Sequence, residues 1–151
     1  MPEEMPEEMP EQLPEQRPAT VPPGLKVELT RHRIRPGRRA EFDAWMRMLE
    51  QRREECLASL DAERMAVECV FYFADDNGEW IYWLEIAGDG GSGLHPERPI
   101  DRDHVAYARR AKTPGHERAE PLLLLLPEPV LEAIMSWAVP EGPGHDASHE
   151  S

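Results

Sequence analysis

Apolar and polar residues alternate along three stretches of the chain, and this period of two residues predicts β-strands. The stretches are Leu25–Ile34, Met65–Ala74 and Glu79–Ala87. The turn sequence Asp75–Gly78 separates the last two, and Asn-Gly between aromatic and β-branched runs is a strong signal for a β-hairpin. A short run that is apolar throughout, Pro121–Leu126, predicts a fourth strand.

A second period, of three to four residues, predicts helices between these strands. The longest predicted helix runs from about Arg38 to Ala62, and its apolar stripe consists of Phe42, Trp45, Met46, Leu49, Cys56, Leu57 and Leu60. We predict a second helix from Arg102 to about Lys112, with Asp101 as its N-cap. A short C-terminal helix is predicted over Val130–Ala138.

The resulting order, β-α-β-β-α-β followed by a short helix, predicts an α+β fold of the ferredoxin-like type. The predicted domain covers residues 25–138. In residues 1–24 a proline recurs at every fourth position and the glutamates repel one another, so this leader is expected to be disordered. The tail of residues 139–151 is also expected to be disordered.

The two faces of the predicted sheet differ in polarity. The residues of one parity are mostly apolar and are expected to meet the helices: Val27, Leu29, Val67, Cys69, Phe71, Phe73, Trp80, Tyr82, Leu84 and Ile86. The opposite parity mixes carboxylates with Val70, Ile81 and Trp83. Because these last three would expose a large apolar patch, we expect a second copy of the chain to cover this face, which predicts a homodimer.

Size and charge narrow the class of protein. The chain has 151 residues and a mass of 17.3 kDa, which fits one domain. Its formal charge is −13 at pH 7, so we expect no nucleic-acid partner. It has no apolar run long enough for a membrane helix and no secretory signal, so we expect no membrane association. Cys56 and Cys69 are expected to be buried, reduced thiols, which predicts a cytoplasmic location.

The mixed face carries the candidate catalytic residues. Glu68 is the predicted proton-transfer group, with Glu28 or His32 as its helper. A carboxyl group that is buried beside an indole ring and close to a second carboxylate has a raised pKa, which suits acid–base chemistry near neutral pH.

The same face supplies candidate ligand-binding residues, which are Trp83, Tyr72, Thr30 and Glu85, and His104 from the second helix is added to them. The aromatic rings would form an apolar wall for a ring-shaped organic ligand. We predict no metal and no cofactor, because no predicted helix contains two histidines four residues apart and the cysteines are not at ligand spacing.

Several short motifs together resemble a small family of bacterial proteins of unknown function. They are Lys26–Arg31, Arg35–Gly37, Trp45-Met46 with Leu49, Glu63-x-Met65-x-Val67-Glu68, the strand around Trp83, and Asp101-x-x-His104-x-x-Tyr107. That family belongs to the dimeric α/β-barrel superfamily, which also contains cofactor-free antibiotic-biosynthesis monooxygenases, polyketide cyclases, rhamnose mutarotase and haem-degrading enzymes. The resemblance covers about residues 25–130 and implies a homodimer whose sheets enclose a cavity. It implies no catalytic residue.

Two functions of different classes remain open. The first is a small-molecule-binding protein, or a cofactor-free enzyme that transfers a proton to an organic ring substrate, cyclises it or oxygenates it in the barrel cavity. The second is a non-catalytic dimeric module whose tails dock partners. In the second case the carboxylates would pair with Arg31, Arg33 or Arg35, or with the partner subunit, and fix the dimer. The residues alone do not decide whether the protein is an enzyme.

Overall fold

The computed structural model describes residues 18–141. The elements in chain order are β1 (Leu25–Arg33), α1 (Arg39–Gln51), α2 (Arg53–Glu63), β2 (Met65–Asp75), β3 (Gly78–Gly88), α3 (Pro99–Ala111), β4 (Glu117–Arg118) and α4 (Glu128–Ala138). The chain is thus a mixed α+β fold, as the periodicity predicts. Residues 1–17 of the predicted leader and residues 142–151 of the predicted tail lie outside the described residues.

The four strands form one antiparallel sheet in the order β2-β3-β1-β4. β2 and β3 form the predicted hairpin, in which Asp75 pairs with Gly78 across a two-residue loop. Gly78 has a φ of 136°, a value that glycine adopts without the strain a side chain would cause. β3 is a central strand, and β1 pairs with it along the whole length of β1. Side chains of three strands are therefore held in register around β3.

The predicted helix Arg38–Ala62 is in fact two helices, α1 and α2, which meet at Arg52. The backbone of Arg52 leaves the helical region, with a φ of −106° and a ψ of 39°. The Cys56 thiol donates a hydrogen bond to the Leu49 carbonyl at 3.5 Å, in place of a helical amide. The break divides the apolar stripe, because α1 packs on the sheet while Leu57 of α2 stays exposed.

The start of α3 differs from the prediction, and Asp101 is not its N-cap. Pro99 occupies the first position of the helix, which proline suits, and Arg98 precedes it. The Asp101 carboxylate accepts a hydrogen bond from the His95 backbone amide at 2.9 Å and one from the Arg98 guanidinium at 3.3 Å. Asp101 is buried, so it ties the loop before α3 to the first turn of the helix.

The fourth strand is Glu117–Arg118 and not the predicted Pro121–Leu126. This short strand pairs with β1. In the apolar run Leu122, Leu123 and Leu125 are 76%, 65% and 74% exposed. The prediction is wrong because an apolar run indicates a segment that is favoured to bury its side chains. It does not show that the segment pairs with a neighbouring strand.

Helices α1, α2 and α3 cover the sheet face opposite to the predicted one. Ile81 and Trp83, from the mixed parity, are buried in one cluster with Trp45 of α1. Phe71 and Phe73, from the apolar parity, are 50% and 53% exposed. We name the face that carries them the open face. The prediction is wrong because a count of apolar side chains does not distinguish a face that meets helices from an apolar face that is left uncovered.

A second apolar cluster lies between α4 and one end of the open face. It contains Val21, Ile86 and Val139, and Val21 is only 3% exposed. Residues 18–24, the described part of the predicted leader, form turns, and the Val21 amide donates to the Pro18 carbonyl at 3.0 Å. This segment therefore packs on the domain.

The two cysteines differ in their surroundings. Both are free thiols, but Cys69 lies exposed on the open face, so the prediction of a buried thiol is wrong there. Within residues 18–141, no helix has the length and the apolar character needed to cross a membrane. The cytoplasmic location stays a prediction.

Candidate functional site

Two cavities adjoin each other between the helix-covered face of the sheet and the helices. We name them the polar cavity, of about 260 Å³, and the apolar cavity, of about 370 Å³. The polar cavity is lined by side chains of all three long strands, among them Lys26, Glu28 and Glu85. The apolar cavity is lined mostly by aliphatic side chains, Met46, Leu49, Leu57, Leu60, Val70 and Ile100, and its wall also includes Glu50, Arg53 and Asp101. Four side chains line both cavities: Glu63, Glu68, Leu94 and His104.

Three carboxylates form a row across the sheet beside the polar cavity. Glu85 of β3 pairs with Glu28 of β1 on one side and with Glu68 of β2 on the other. Like charges directly opposite each other destabilise a sheet. Burial raises the pKa of Glu85, and Glu68 and Glu28 raise it further, while Lys26 and Lys112 oppose them. The fold therefore keeps a destabilising row of three carboxylates at the wall of the polar cavity.

Glu68 is held by a single indole ring. Trp83 Nε1 donates a hydrogen bond to Glu68 Oε2 at 2.8 Å, because the two residues are diagonal neighbours on paired strands. Glu68 is open to the cavities that it lines, but the surrounding protein removes enough water to raise its pKa, against the lowering effect of the Trp83 bond. Within residues 18–141 the Glu68 carboxylate forms no second hydrogen bond, so one oxygen is held and the other is available to a ligand.

His104 is held in the same way by a second indole ring. Trp45 Nε1 lies 3.0 Å from His104 Nδ1, and because an indole can only donate, Nδ1 is the unprotonated acceptor. The hydrogen of the neutral ring is therefore on Nε2. Burial lowers the pKa of His104 to about 4, and Lys112 adds to the effect while Asp101 opposes it. At neutral pH His104 is a hydrogen-bond donor and not a proton acceptor.

The two indole rings pack against each other and against the His104 ring. The ring centroids of Trp45 and Trp83 are 5.4 Å apart, and His104 lies 5.3 Å from Trp45 and 5.6 Å from Trp83. Trp45 is completely buried. Because close-packed aromatic rings have little freedom to rotate, Glu68 and His104 keep fixed positions relative to each other.

Glu63, at the C-terminal end of α2, adds a further carboxylate to both cavities. Burial raises its pKa to about 7, and Glu68, Asp101 and Glu85 raise it in the same direction, while Arg98 lowers it. Among residues 18–141, no group of three or more His, Cys, Asp or Glu side chains is placed to hold a metal ion. The walls of the two cavities together carry more carboxylates than cationic groups, beside a large apolar surface.

The structure places four of the predicted site residues, Glu28, Glu68, Glu85 and His104, around the polar cavity, with Trp83 bonded to Glu68, and it separates Thr30, His32 and Tyr72 from them. Strand register explains the separation. Thr30 pairs with Trp83 one row from the carboxylates, and His32 pairs with Ile81 one row further. Successive rows are two residues apart along the strand, or about 6.8 Å, so the third row is about 14 Å from the first.

The more distant predicted residues have other contacts. His32 stacks near His116, with ring centroids 5.2 Å apart, and burial lowers its pKa to about 4. Tyr72 lies in the third row, where it stacks on Phe42 and donates a hydrogen bond to Glu79 at 2.6 Å. Trp83 is buried and orients Glu68, which differs from the predicted role as a cavity wall. The catalytic and ligand-binding roles of all these residues stay predictions.

The arginines that were candidates to neutralise the carboxylates have other partners. Arg31 pairs with Glu117 at 2.5 Å, and Arg35 donates to the Arg109 carbonyl at 3.1 Å. Arg33 donates to the backbone carbonyl of Asn77. Of the three carboxylates in the row, Glu28 has an ion pair, with Arg118 at 3.5 Å. These arginines therefore leave Glu68 and Glu85 uncompensated.

Sequence reasoning missed Glu63 and the glycine-rich loop that follows β3. The Ser92 amide donates to the Ala62 carbonyl at 2.9 Å, which fixes the loop to the end of α2. A Cβ on Gly91 would lie 2.2 Å from the Glu63 carbonyl oxygen, so only glycine permits this approach. The sequence signal for Glu63 is its position five residues before Glu68, between a predicted helix and a predicted strand. The chain turns between them at Arg64, whose φ is 55°, and this turn brings both carboxylates to the same cavities.

A comparison with known families identifies the chain. Residues 25–132 match a family that is described as a family of unknown function, DUF6176. The chain belongs to this family. No curated protein matches the sequence.

The fold was also compared with solved structures. A crystal structure of a protein of unknown function from Nitrosomonas europaea is similar to the chain, with 17% sequence identity and a TM-score of 0.41. The similar region covers 68% of this chain and 93% of that protein.

Proposed function

We infer that the protein binds a small organic molecule in the polar and apolar cavities and exchanges a proton with it through Glu68. The observation that carries this proposal is the hydrogen bond from Trp83 to Glu68, which fixes one oxygen of a carboxylate with a raised pKa at the junction of the two cavities. A positioned carboxylate with a raised pKa is a stronger general base than an ordinary carboxylate.

The chemistry that fits is a proton transfer such as the enolisation of a carbonyl compound. The Glu68 carboxylate takes a proton from a carbon next to the carbonyl, and the electron pair moves to the carbonyl oxygen. His104, neutral and protonated on Nε2, donates a hydrogen bond to that oxygen as its negative charge develops. Return of the proton to another position completes the reaction, and no co-reactant is needed.

A deuterium-exchange experiment tests this proposal. We expect the protein to accelerate the exchange of the acidic C–H protons of 2-tetralone in D₂O, followed by ¹H NMR, and Glu68→Gln to abolish the acceleration. Glu54→Gln, which changes an exposed carboxylate of α2, is the matched control. Trp83→Phe should shift the pH profile upwards, because the Trp83 bond lowers the pKa of Glu68.

Native mass spectrometry of the freshly purified protein gives an independent measurement of binding. A retained ligand should be present in the wild type and in Glu54→Gln. Exchange by Glu68→Gln at the wild-type rate would contradict the role of Glu68. The lack of both a retained mass and any acceleration would contradict small-molecule binding and favour the non-catalytic module.

We also propose that the domain is ferredoxin-like and pairs through its open face into a dimeric α/β barrel. The strand order β2-β3-β1-β4, with α1, α2 and α3 on one face of the sheet, supports the ferredoxin-like topology. The exposure of Phe71 and Phe73 supports the pairing, because a monomer would leave these rings in water. The cavities lie on the other face, so binding and pairing are compatible.

A further inference from the structure

The two cavities are in contact through shared walls. Glu63, Glu68, Leu94 and His104 line both of them, so a ligand group beside any of these side chains is next to both spaces. Leu94 is the apolar member of the four, and it is exposed on the loop after β3. The position next to it, Gly93, has nothing within 4 Å of an added Cβ. Part of the wall that the two cavities share is therefore Leu94, a side chain that is exposed to solvent.

The two cavities differ in the chemistry that they offer. The apolar cavity presents aliphatic side chains of α1 and α2, such as Leu49, Leu57 and Leu60. Burial of a hydrocarbon group against such surface is favourable. The polar cavity presents the carboxylates Glu28, Glu63, Glu68 and Glu85 together with the ammonium group of Lys26. A cationic group is attracted to this cavity and an anionic group is repelled.

We propose that the two cavities form a single site for an amphipathic amine. Its apolar body occupies the apolar cavity, and its ammonium group lies among Glu63, Glu68 and Glu85 in the polar cavity. This assignment rests on the small-molecule function proposed above and names the class of ligand.

The surroundings of the carboxylates support a cationic head group. The pKa values of Glu63, Glu68 and Glu85 are all raised, with burial as the largest cause, and mutual repulsion contributes to the first and the third. An ammonium group at this point would relieve the repulsion. It would also favour the carboxylate form of Glu68, which is the form that takes a proton from a carbon in the proposed reaction.

Isothermal titration of the full-length protein with three matched probes tests the proposal. The probes are 4-phenylbutylamine, 4-phenylbutanol and 4-phenylbutyrate, which differ only in the polar end. We expect the amine to bind about tenfold more tightly than the alcohol, since a partly enclosed ion pair contributes on this scale. The carboxylate probe should bind more weakly than the alcohol.

Variants then assign each end of the probe to its cavity. Glu85→Gln should weaken the amine and leave the alcohol unchanged. Leu57→Trp should weaken both, because Leu57 is exposed at the apolar cavity and a larger ring there narrows the space without disturbing the core. Glu54→Gln is again the control. If Glu85→Gln does not fold, Glu63→Gln replaces it, because removing the charge of Glu63 relieves the repulsion by Glu68 and Glu85 and should not destabilise the fold.

Each outcome separates this proposal from the function on which it rests. Equal binding of the amine and the alcohol overturns the cationic head group while small-molecule binding stands. Binding that is insensitive to Leu57→Trp overturns the single site that spans both cavities. If none of the probes binds, the amphipathic class is overturned, and the retained mass in native mass spectrometry reports separately on the proposed function.

Discussion

At the scale of single residues, Glu63 illustrates how crowding changes the acidity of one side chain. Its pKa is raised from 4.5 to about 7, with burial as the first cause. The unfolded chain therefore loses this proton at a lower pH than the folded chain does. Between pH 4.5 and 7 the folded state binds more protons, so the free energy of unfolding falls as the pH rises through this window.

Replacement of Glu63 by glutamine should remove this dependence on pH. We expect Glu63→Gln to raise the free energy of unfolding at pH 8 by about 1–2 kcal/mol, a discounted value because Glu63 is only half-buried and solvent screens the effect. At pH 4.5 the variant and the wild type should unfold at similar urea concentrations. Glu54→Gln should change neither value, and equal stability of Glu63→Gln and wild type at pH 8 would contradict the raised pKa.

The sequence identifies part of this site for a clear reason. Glu28, Glu68 and Glu85 have the same strand parity and opposite positions in the register, so alternation alone brings them to one face. Alternation does not report distance along the strands, so it also predicts that His32 and Tyr72 lie with these carboxylates. The donation from Trp45 to His104 joins two helices, and such a contact leaves no local pattern.

At the scale of elements, the segment before β1 contributes to the core although its composition suggests a loose leader. Val21 packs with Leu25, Ile86 and Val139. We expect Val21→Ala to lower the free energy of unfolding by about 1–2 kcal/mol, the scale for removing two buried methyl groups. Denaturant unfolding measures the loss.

The matched control for this change is Val130→Ala on α4, where the valine is exposed and should contribute little. A truncated chain that lacks residues 1–22 loses Val21 as well, so it should be less stable than a chain that lacks residues 1–17. Equal stability of the two truncated chains would contradict the packing of this segment.

The elements that the sequence predicts well are those whose signal is local. The β2–β3 hairpin depends on its turn residues, and the stripe of α1 depends on spacing within one helix. At the break near Arg52 a thiol bonds to a carbonyl seven residues earlier, and the pairing of β4 depends on a partner far away in sequence. No period within a segment encodes either contact.

At the scale of the whole molecule, the open face predicts a dimer. We expect the wild type to sediment at micromolar concentration with about twice the mass of the 17.3 kDa chain. Phe71→Glu combined with Phe73→Glu should give a folded monomer, because both rings are already half-exposed in one chain and their replacement leaves no void. Circular dichroism checks the fold.

The control for the dimer is Glu54→Lys, which places a new charge on the exposed side of α2 and should leave the mass unchanged. A monomeric wild type would contradict the pairing through the open face. So would a double variant that still sediments as a dimer.

Strand β3 separates the two faces, and its side chains alternate between them. Ile81, Trp83 and Glu85 point to the helices and the cavities, whereas Tyr82 and Leu84 belong to the open face. Neighbouring positions of this strand therefore meet different surroundings. The proposed ligand meets this strand at Glu85, whereas the proposed pairing uses its even-numbered positions, so a substitution at position 85 would alter the binding site and leave the proposed pairing surface unchanged.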